Sequence, residues 1–361
     1  MKGRNVTKVA VGMSGGVDST TAAALLQEKG YDVFGVTIVT HTGGVSEETA
    51  RAAAKELGIP LFVLDLRDVF RHKVIDYFVD SYYQGLTPNP CVVCNQTVKF
   101  GALWERVQEL GADFLATGHY IRNHYDQQSG RWLLYTAADA KKDQSYMLYS
   151  LNQEQIGHAL FPLSDLNKEQ IREIARARNF KAAELADSQE ICFIPDNDYS
   201  RYIKAASGIN PDPGDFIDME GRVIGRHRGL IYYTVGQRKG LGTAFGKPMF
   251  VASLDPVYNR VMIVEEKDIF TDTLWAEQLN WIPFEKVSAP LKVLAKIRYK
   301  ANPVPAIIEP DIEGRIRVRF ETPQRAVTPG QSVVFYQESL VLGGGIIVSD
   351  KAGIRSNNND H

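Results

Sequence analysis

The chain has 361 residues, of which 44% are hydrophobic and 23% charged, and its formal net charge at pH 7 is −2. This length allows two or three domains with substantial cores, and the balanced charge gives no overall sign of a nucleic-acid partner. Three cysteines, an odd number, argue against the disulfide framework of a secreted protein. No apolar stretch approaches membrane length, and no signal peptide is recognised. We therefore expect a cytoplasmic protein.

A glycine-rich segment follows the first predicted strand, which covers residues 8–11, and opens a helix predicted over 20–29. The segment reads Gly12, Met13, Ser14, Gly15, Gly16, Val17, Asp18 and Ser19. Glycines at a helix start let backbone N–H groups approach a phosphate, and an acid beside phosphates suits a bound magnesium ion. The Gly-Lys-Ser/Thr ending of a Walker loop is missing, so we predict a site for the pyrophosphate end of ATP; the alternative is a turn without function.

Strands and helices alternate through the first 120 residues. In chain order we predict a strand at 33–39, a helix at 46–57, a strand at 61–66, helices at 69–83 and 99–110, and a strand at 113–117. Continuous apolar strands with short connections predict a doubly wound parallel sheet with ligands at the carboxyl ends of its strands. Gly12, Ile38 and Gly118 fall at such ends, so they should surround one nucleotide.

The remainder of the chain becomes mainly β. After a predicted hairpin at 121–135, we expect helices at 144–150, 153–160 and 168–178, and then strands including 293–299, 306–309, 315–320 and 332–336. The fold class is therefore α/β, with an N-terminal parallel sheet, a small central β domain and a C-terminal β-barrel. We predict domain boundaries of 1–206, 207–272 and 273–361, with a disordered tail at 351–361.

Positive charge is concentrated in the central domain. From Gly221 through Ser253 there is no acidic residue. The basic residues near Tyr232 and Tyr233 are Arg222, Arg226, Arg228, Arg238, Lys239 and Lys247. This composition predicts a surface that contacts a phosphate backbone and stacks on bases, and the alternative is a solvated basic face.

The cysteines allow several kinds of chemistry. Cys91 and Cys94 are three apart on a predicted loop that is stiffened by two preceding prolines, and Cys192 follows the polar residues 187–190. A zinc site lacks two further ligands, and a thioredoxin-like pair belongs at a helix start after a strand. An iron–sulfur cluster on all three cysteines and covalent catalysis by thiols both remain open. The polar neighbours of Cys192 argue against a buried core cysteine.

Several motifs together resemble one family. They are residues 12–19, Thr87-Pro-Asn-Pro with Cys94-Asn95, Ala116–Tyr120, Lys141–Tyr146, Asp187 through Cys192 to Pro195, Pro213-Gly214, Gly229–Gly242 and Arg298-Tyr299. In this order they are similar to the tRNA-specific 2-thiouridylases, which carry the PP-loop of ATP pyrophosphatases on an adenine nucleotide α-hydrolase-like domain. The resemblance covers nearly the whole chain. It implies ATP-dependent thiolation of carbon 2 of the wobble uridine, with release of AMP and pyrophosphate.

The resemblance also implies roles for individual residues. Cys192 carries a persulfide, and Cys94 is the second catalytic cysteine that forms a disulfide with it. The ATP site consists of residues 12–19 with Ile38 and Gly118, and the target base is faced by Asn89, Pro90 and Cys91. The tRNA contacts are His119, Lys142, Asp143, Gln144, Arg298, Tyr299 and Gln331. The implied cofactors are ATP and Mg²⁺, and the implied partners are tRNA and a persulfide donor protein, either a cysteine desulfurase or a sulfur relay.

The chemistry is coherent on its own terms. The O2 oxygen of uridine is a poor leaving group until it attacks the α-phosphate of ATP and becomes an adenylate ester, which sulfur then displaces. The thiols must ionise, and either Lys99 or Lys142 is a candidate cation. Two departures from the family stand out: the segment between Val39 and Glu47 is short, and position 91 is Cys where many members have Asp. Two other functions fit the same loop, a PP-loop ligase for a small molecule and a protein that only binds tRNA or nucleotide.

Overall fold

A computed structural model describes residues 6–41, 47–185 and 191–349, with the backbone alone for Glu313. The chain divides into two compact units. The first unit contains residues 1–75, 91–195 and 339–342, and the second contains residues 76–90, 196–338 and 343–361. The predicted disordered tail at 351–361 lies outside the described residues.

The first unit is built on a parallel sheet. Its strands are β1 (Lys8–Gly12), β2 (Asp32–Val39), β3 (Leu61–Asp65), β4 (Phe114–Ala116), β5 (Ile121–Asp126), β6 (Arg131–Thr136) and β7 (Ala159–Leu160). Five of them form the order β3-β2-β1-β4-β7 with every pairing parallel, while β5 and β6 form the predicted antiparallel hairpin. The predicted parallel sheet is therefore confirmed, and its central strand β1 carries the glycine-rich segment at its carboxyl end.

The helices follow the predicted pattern with a few differences. They are α1 (Val17–Glu28), α2 (Glu47–Leu57), α3 (Arg67–Phe70), α4 (Asp76–Tyr83), α5 (Pro90–Cys94), α6 (Leu103–Glu109), α7 (Ser145–Leu148), α8 (Gln153–Gly157), α9 (Lys168–Ala177) and α10 (Tyr199–Ser207). Two π-helical segments, Arg71–Ile75 and Asn95–Ala102, follow α3 and α5. None of the helices in the described ranges has the length and apolarity that spanning a membrane requires.

The core of the first unit lies on both faces of the sheet. Val9 and Val11 are completely buried in β1, and they belong to one cluster with Ala23 and Leu26 of α1. A second cluster joins Val17 and Ala22 of α1 to residues of α9. Because α1 is packed on two sides, the loop that precedes it is held at a defined position at the edge of the sheet.

One strand replaces the end of a predicted helix. The helix expected over 153–160 ends at Gly157, and β7 follows, where Ala159 and Leu160 pair with Leu115 and Ala116. A Cβ at Gly157 would lie 2.7 Å from Trp132 Nε1, so side chains of neighbouring elements limit this turn. The apolar pattern of two residues does not distinguish a short edge strand from the last turn of a helix.

The second unit contains two β structures. Its strands are β8 (Gly214–Ile217), β9 (Val223–His227), β10 (Phe250–Asp255), β11 (Arg260–Val264), β12 (Phe270–Trp281), β13 (Leu291–Lys296), β14 (Val304–Pro310), β15 (Ile316–Arg325), β16 (Ser332–Gln337) and β17 (Leu340–Val348). The first four form a sheet in the order β10-β11-β8-β9. The others follow the order β12-β15-β14-β13-β16-β17, and the pairing of β12 with β17 closes them into the predicted barrel.

Candidate active site

The glycine-rich segment forms a compact loop between β1 and α1. Ser19 Oγ accepts a hydrogen bond from the Ser14 N–H at 3.2 Å, and the Gly16 carbonyl accepts from the hydroxyls of Ser19 at 3.2 Å and Thr20 at 2.9 Å. Gly16 precedes α1 in an extended conformation. The first N–H groups of α1 have no partner within the helix, and such groups at a helix start bind anions.

Two glycines allow approaches that a side chain would prevent. Gly15 has a φ of +76°, and a Cβ there would lie 2.5 Å from the carbonyl carbon of Thr49. A Cβ on Gly118 would lie 3.0 Å from the carbonyl carbon of Asp18. The residues after β4 therefore pack directly against the first turn of α1.

The predicted nucleotide residues come from three adjacent strands. Gly12 ends β1, Ile38 lies near the end of β2, and Gly118 follows β4 by two residues. Because β1 lies between β2 and β4 in a parallel sheet, the three positions share one edge. This is the edge at which ligands bind in open α/β sheets.

The carboxylate of Asp18 is held by two side chains to which the sequence analysis gave no role. Lys168 Nζ donates to both carboxylate oxygens at 2.8 Å, and the Tyr120 hydroxyl donates to one of them at 2.6 Å. Lys168 is the first residue of α9 and is mostly buried. Because Lys168 neutralises Asp18, the loop does not present an unpaired negative charge to a polyphosphate.

Cys91 and Cys94 lie on a helix, and the prediction that they lie on a loop is wrong. α5 begins at Pro90, and the helical path continues through the π-helical segment into α6. Proline lacks an N–H, which the first residue of a helix does not need, so Pro90 starts the helix instead of breaking it. The prediction had placed the helix start at Lys99.

Lys99 belongs to the π-helical segment five residues after Cys94. An α-helix would separate residues five apart by about 140° around its axis, whereas the wider π turn brings them closer to one face. Desolvation raises the pKa of Cys94 to about 12, and the positive charge of Lys99 opposes that rise. Lys99 is one of the two lysines that the sequence offered as the cation for this thiol.

The positive charge of Lys99 acts on all three thiols. Cys94 is half-buried, whereas solvent reaches Cys91 and Cys192. Desolvation raises the pKa of Cys91 and of Cys192 as well, and in both cases Lys99 acts in the opposite direction. Charge on Cys91 or Cys192 also raises the pKa of Cys94.

We expect replacement of Lys99 by Ala to slow alkylation of Cys94. Without the cation the pKa of Cys94 rises further, so at a fixed pH below that pKa the thiolate fraction falls. A charge interaction of this kind predicts a roughly threefold to tenfold lower rate. The measurement is the iodoacetamide rate at Cys94 between pH 8 and 10, followed by peptide mass spectrometry. Lys99→Arg, which keeps the charge, is the matched control, and an unchanged rate in the Ala variant would contradict the assignment.

Cys192 is exposed, so it is not the buried core cysteine that the sequence left as an alternative. His41, just after β2, contacts its backbone: Nε2 donates to the Cys192 carbonyl at 3.1 Å, and Nδ1 accepts from the Thr40 hydroxyl at 2.9 Å. The His41 ring stacks on Phe70, whose ring also meets Phe193 edge-on. Burial lowers the pKa of His41, which favours the neutral imidazole. The polar residues 187–190 lie outside the described residues.

The predicted tRNA contacts in the first unit hold their own loops together. Asp143 accepts from the Ala137 N–H at 3.0 Å and from the Ser145 hydroxyl at 2.6 Å. Gln144 Oε1 accepts from the Tyr120 N–H at 3.0 Å. His119 Nδ1 lies 2.8 Å from the Thr117 hydroxyl, and burial places the His119 pKa well below its usual value. The Lys142 N–H donates to the carbonyl of Asp139.

In the second unit, two predicted tRNA contacts line one cavity of about 340 Å³. Arg298 donates to the carbonyl oxygens of Arg325 and Ala326. Gln331 Nε2 donates to the Thr87 carbonyl at 2.8 Å, within two residues of the predicted target-base segment. Tyr299 follows Arg298, and the ammonium group of Lys296 lies over its ring.

The basic segment of the central domain is less open than the sequence suggests. Arg222 pairs with Asp218 and Glu220, and Arg226 pairs with Asp215. The expectation that both tyrosines offer stacking surfaces is wrong for the second, because Tyr233 is buried and its hydroxyl donates to the Leu241 carbonyl at 3.2 Å. Tyr232 is half-buried, and the exposed Arg228 lies over its ring at 4.1 Å. Arg238 and Lys239 are exposed on the following turn.

No group of three or more His, Cys, Asp or Glu side chains within residues 6–41, 47–185 and 191–349 is arranged to hold a metal ion. As placed, Cys91, Cys94 and Cys192 do not fit an iron–sulfur cluster. For magnesium, Asp18 is a single carboxylate, and proteins commonly bind Mg²⁺ through one or two carboxylates together with substrate phosphates.

Comparison with known proteins gives matches along almost the whole chain. Residues 7–196 match the tRNA methyl transferase HUP domain, residues 203–265 the tRNA methyl transferase PRC-barrel domain, and residues 271–347 the aminomethyltransferase beta-barrel domain. The tRNA-specific 2-thiouridylase MnmA of Desulfitobacterium hafniense is 50% identical over 363 residues, covering 95% of this chain and 98% of its own length.

Two further similarities differ greatly in strength. The enzyme of the same name from Clostridium perfringens is 48% identical over 355 residues, covering 95% of this chain and 98% of its own length. A solved 4-thiouridine synthetase–RNA complex with bound ATP is 18% identical with a TM-score of 0.34, covering 56% of this chain and 50% of that one. The function of this chain is therefore inferred from its sequence relatives and not from this structural similarity.

Proposed function

Because this chain belongs to the tRNA-specific 2-thiouridylase family, it is an ATP-dependent tRNA sulfurtransferase that thiolates the wobble uridine, and we propose how its residues divide the work. Residues 1–206 form the ATP-binding catalytic domain, residues 207–272 a tRNA-contacting domain and residues 273–361 the barrel domain. Because the chain belongs to this family, we set aside the two other functions that the sequence allowed, a ligase for a small molecule and a protein that only binds tRNA or nucleotide.

The loop of residues 12–19, with Ile38 and Gly118, binds ATP and orients its α-phosphate for attack by the uridine O2. The phosphates lie at the start of α1, where free N–H groups and the helix dipole favour negative charge. Asp18 would hold a magnesium ion together with the ATP phosphates, and the ion would supply positive charge that offsets theirs. Lys168, which donates to Asp18, places a second positive charge at the same end of the loop. The products of this step are an adenylated uridine and pyrophosphate.

Sulfur transfer uses Cys192 and Cys94. The terminal sulfur of a Cys192 persulfide attacks carbon 2, and AMP leaves with the former O2 oxygen. The Cys94 thiolate then attacks Cys192 Sγ, which releases the thiolated base and leaves a Cys94–Cys192 disulfide. What supports this assignment most is that Cys192 is exposed and that both cysteines lie in the same unit as the ATP loop. Desolvation raises the pKa of both thiols, and the charge of Lys99 opposes that rise.

Further residues are assigned to substrate binding. Asn89, Pro90 and Cys91 face the target base, which must leave the anticodon stack to reach the reacting groups. The tRNA contacts are His119, Lys142, Asp143, Gln144, Arg298, Tyr299 and Gln331. Several of these side chains already hydrogen-bond within the protein, so tRNA binding shares or exchanges those bonds. A persulfide donor protein, either a cysteine desulfurase or a sulfur relay, supplies the sulfur.

Reconstitution tests the whole proposal. Purified protein, unmodified tRNA with a wobble uridine, ATP with Mg²⁺ and a persulfide donor should give 2-thiouridine, detected by mass spectrometry of the nucleosides. We expect one AMP and one pyrophosphate for each thiouridine. Omission of ATP is the control, and thiouridine formed without ATP, or AMP formed without tRNA at the same rate, would contradict the mechanism.

A further inference from the structure

Cys91 has no place in the two-cysteine reaction, yet it lies on the same short helix as one of the reacting thiols, Cys94. It occupies the first turn of α5 three residues before Cys94, and it is exposed whereas Cys94 is half-buried. The three sulfur atoms influence one another electrostatically around Lys99. The proposed reaction also leaves a problem, because each turnover ends with Cys192 locked in a disulfide and unable to accept new sulfur.

The helix brings Cys91 and Cys94 within reach of each other. Residues three apart on a helix have Cβ atoms about 5–6 Å apart, and a disulfide requires roughly 4 Å. The pair lies at the start of a helix, where the first N–H groups make no bonds within the helix, so tightening this turn breaks few contacts. A Cys91–Cys94 disulfide is therefore sterically accessible from the observed backbone.

We propose that Cys91 is a resolving thiol that releases Cys192 after each turnover, an inference that rests on the proposed persulfide mechanism. The Cys91 thiolate attacks Cys94 Sγ, so that the Cys91–Cys94 bond forms while the Cys94–Cys192 bond breaks. Cys192 leaves as a thiolate and takes up the proton that Cys91 lost, so this exchange has no net oxidation or reduction. A cellular dithiol then supplies two electrons and two protons to the Cys91–Cys94 disulfide.

This order of events separates loading from reduction. Cys192 can accept the next persulfide while the other two cysteines await the reductant. The reductant attacks at Cys91, which solvent reaches, and Cys94 is the leaving thiol. A neighbouring thiol also reacts faster than a dissolved one, because its approach has already been fixed by the fold.

The test maps the disulfide that remains after one turnover without reductant. Wild type and Cys91→Ser are first loaded with persulfide on Cys192, then mixed with tRNA and ATP, quenched in acid, alkylated and analysed by peptide mass spectrometry. We expect Cys91–Cys94 with alkylated Cys192 in the wild type, and Cys94–Cys192 in the variant. With a limiting dithiol such as thioredoxin, multiple turnover by Cys91→Ser should fall by at least about tenfold.

The thiouridine yield and the disulfide after a single turnover together distinguish failure of the Cys91 proposal from failure of the sulfur-transfer mechanism. Equal thiouridine from both proteins, together with a Cys94–Cys192 disulfide that persists in the wild type, would overturn the role of Cys91 and leave the sulfur-transfer mechanism intact. Thiouridine formed with no protein disulfide in either would instead overturn the proposed use of Cys94. Cys91→Ala serves as a second variant, and because Cys91 is also placed at the target base, the disulfide formed per thiouridine is compared and not the yield itself. The same Cys94–Cys192 disulfide in the wild type as in this variant would contradict the resolving role.

Discussion

Replacement of Cys192 by Ser should abolish 2-thiouridine formation while tRNA adenylation continues. A hydroxyl cannot carry a persulfide, so loss of the covalent sulfur carrier is expected to reduce thiolation by on the order of a thousandfold or more. The ATP loop should be unaffected, because Cys192 is exposed and contacts the end of β2 through its backbone carbonyl. The measurements are nucleoside mass spectrometry for thiolation and transfer of label from α-labelled ATP to tRNA for adenylation.

The companion variant Cys94→Ser gives a different and more specific result. Here the persulfide still attacks carbon 2, but the Cys94 thiolate that releases the product is missing. We therefore expect tRNA linked covalently to Cys192 through a disulfide that dithiothreitol cleaves to yield thiolated tRNA. Cys192→Ser should form no such adduct. Identical behaviour of the two variants, or full thiolation by either, would rule out the assigned division of labour.

Replacement of Gly15 by Ala should disrupt the ATP loop. The new Cβ would meet the backbone of Thr49 at 2.5 Å, and the φ of +76° is unfavourable for any residue with a Cβ. Left-handed strain of roughly 1–2 kcal/mol and overpacking of roughly 1–3 kcal/mol together predict about 3 kcal/mol of destabilisation. For a unit of this size the transition temperature should fall by roughly 6–12 °C, and ATP binding should be lost.

Gly16→Ala is the matched control for this substitution. Its φ is −78°, and a Cβ there would meet only the Ser14 hydroxyl, at 3.4 Å. Thermal unfolding of the two variants with and without ATP measures both effects. We expect Gly16→Ala to unfold near the wild-type temperature. Equal stability of the two variants would show that the close contact between Gly15 and Thr49 does not govern the loop.

The hydrophobic pattern determined most of the fold. Continuous apolar runs predicted four of the five strands of the parallel sheet, and turn residues predicted the β5–β6 hairpin. The errors occurred at residues whose type is compatible with two different secondary structures. Prolines before Cys91 indicated a loop, yet Pro90 starts α5, and two apolar residues after Gly157 continued a helix in the prediction but pair with β4 in the structure.

The residues next to a polar side chain in the sequence do not indicate which distant residue it contacts. Lys168 lies 150 residues from Asp18, and His41 lies 151 residues from Cys192, so neither contact has a local signature. Two features of the sequence could have indicated a role for His41: the segment after Val39 is short, and a histidine follows the end of a strand. The composition of the basic segment gives the number of charged residues but does not show their ion-pair partners. Two of its arginines pair with Asp215 and Asp218, which lie on neighbouring strands and turns.

The sequence by itself predicted the chemistry, a glycine loop for ATP and thiols for sulfur transfer, because the residue types and their local spacing set what each motif can bind or attack. Only the tertiary structure decided that Lys99 is the cation beside the thiols, that Lys168 neutralises Asp18, and that Cys91 shares a helical turn with Cys94. These are outcomes of packing, since the distance between two charges depends on how the whole unit folds and not on the residues beside each one.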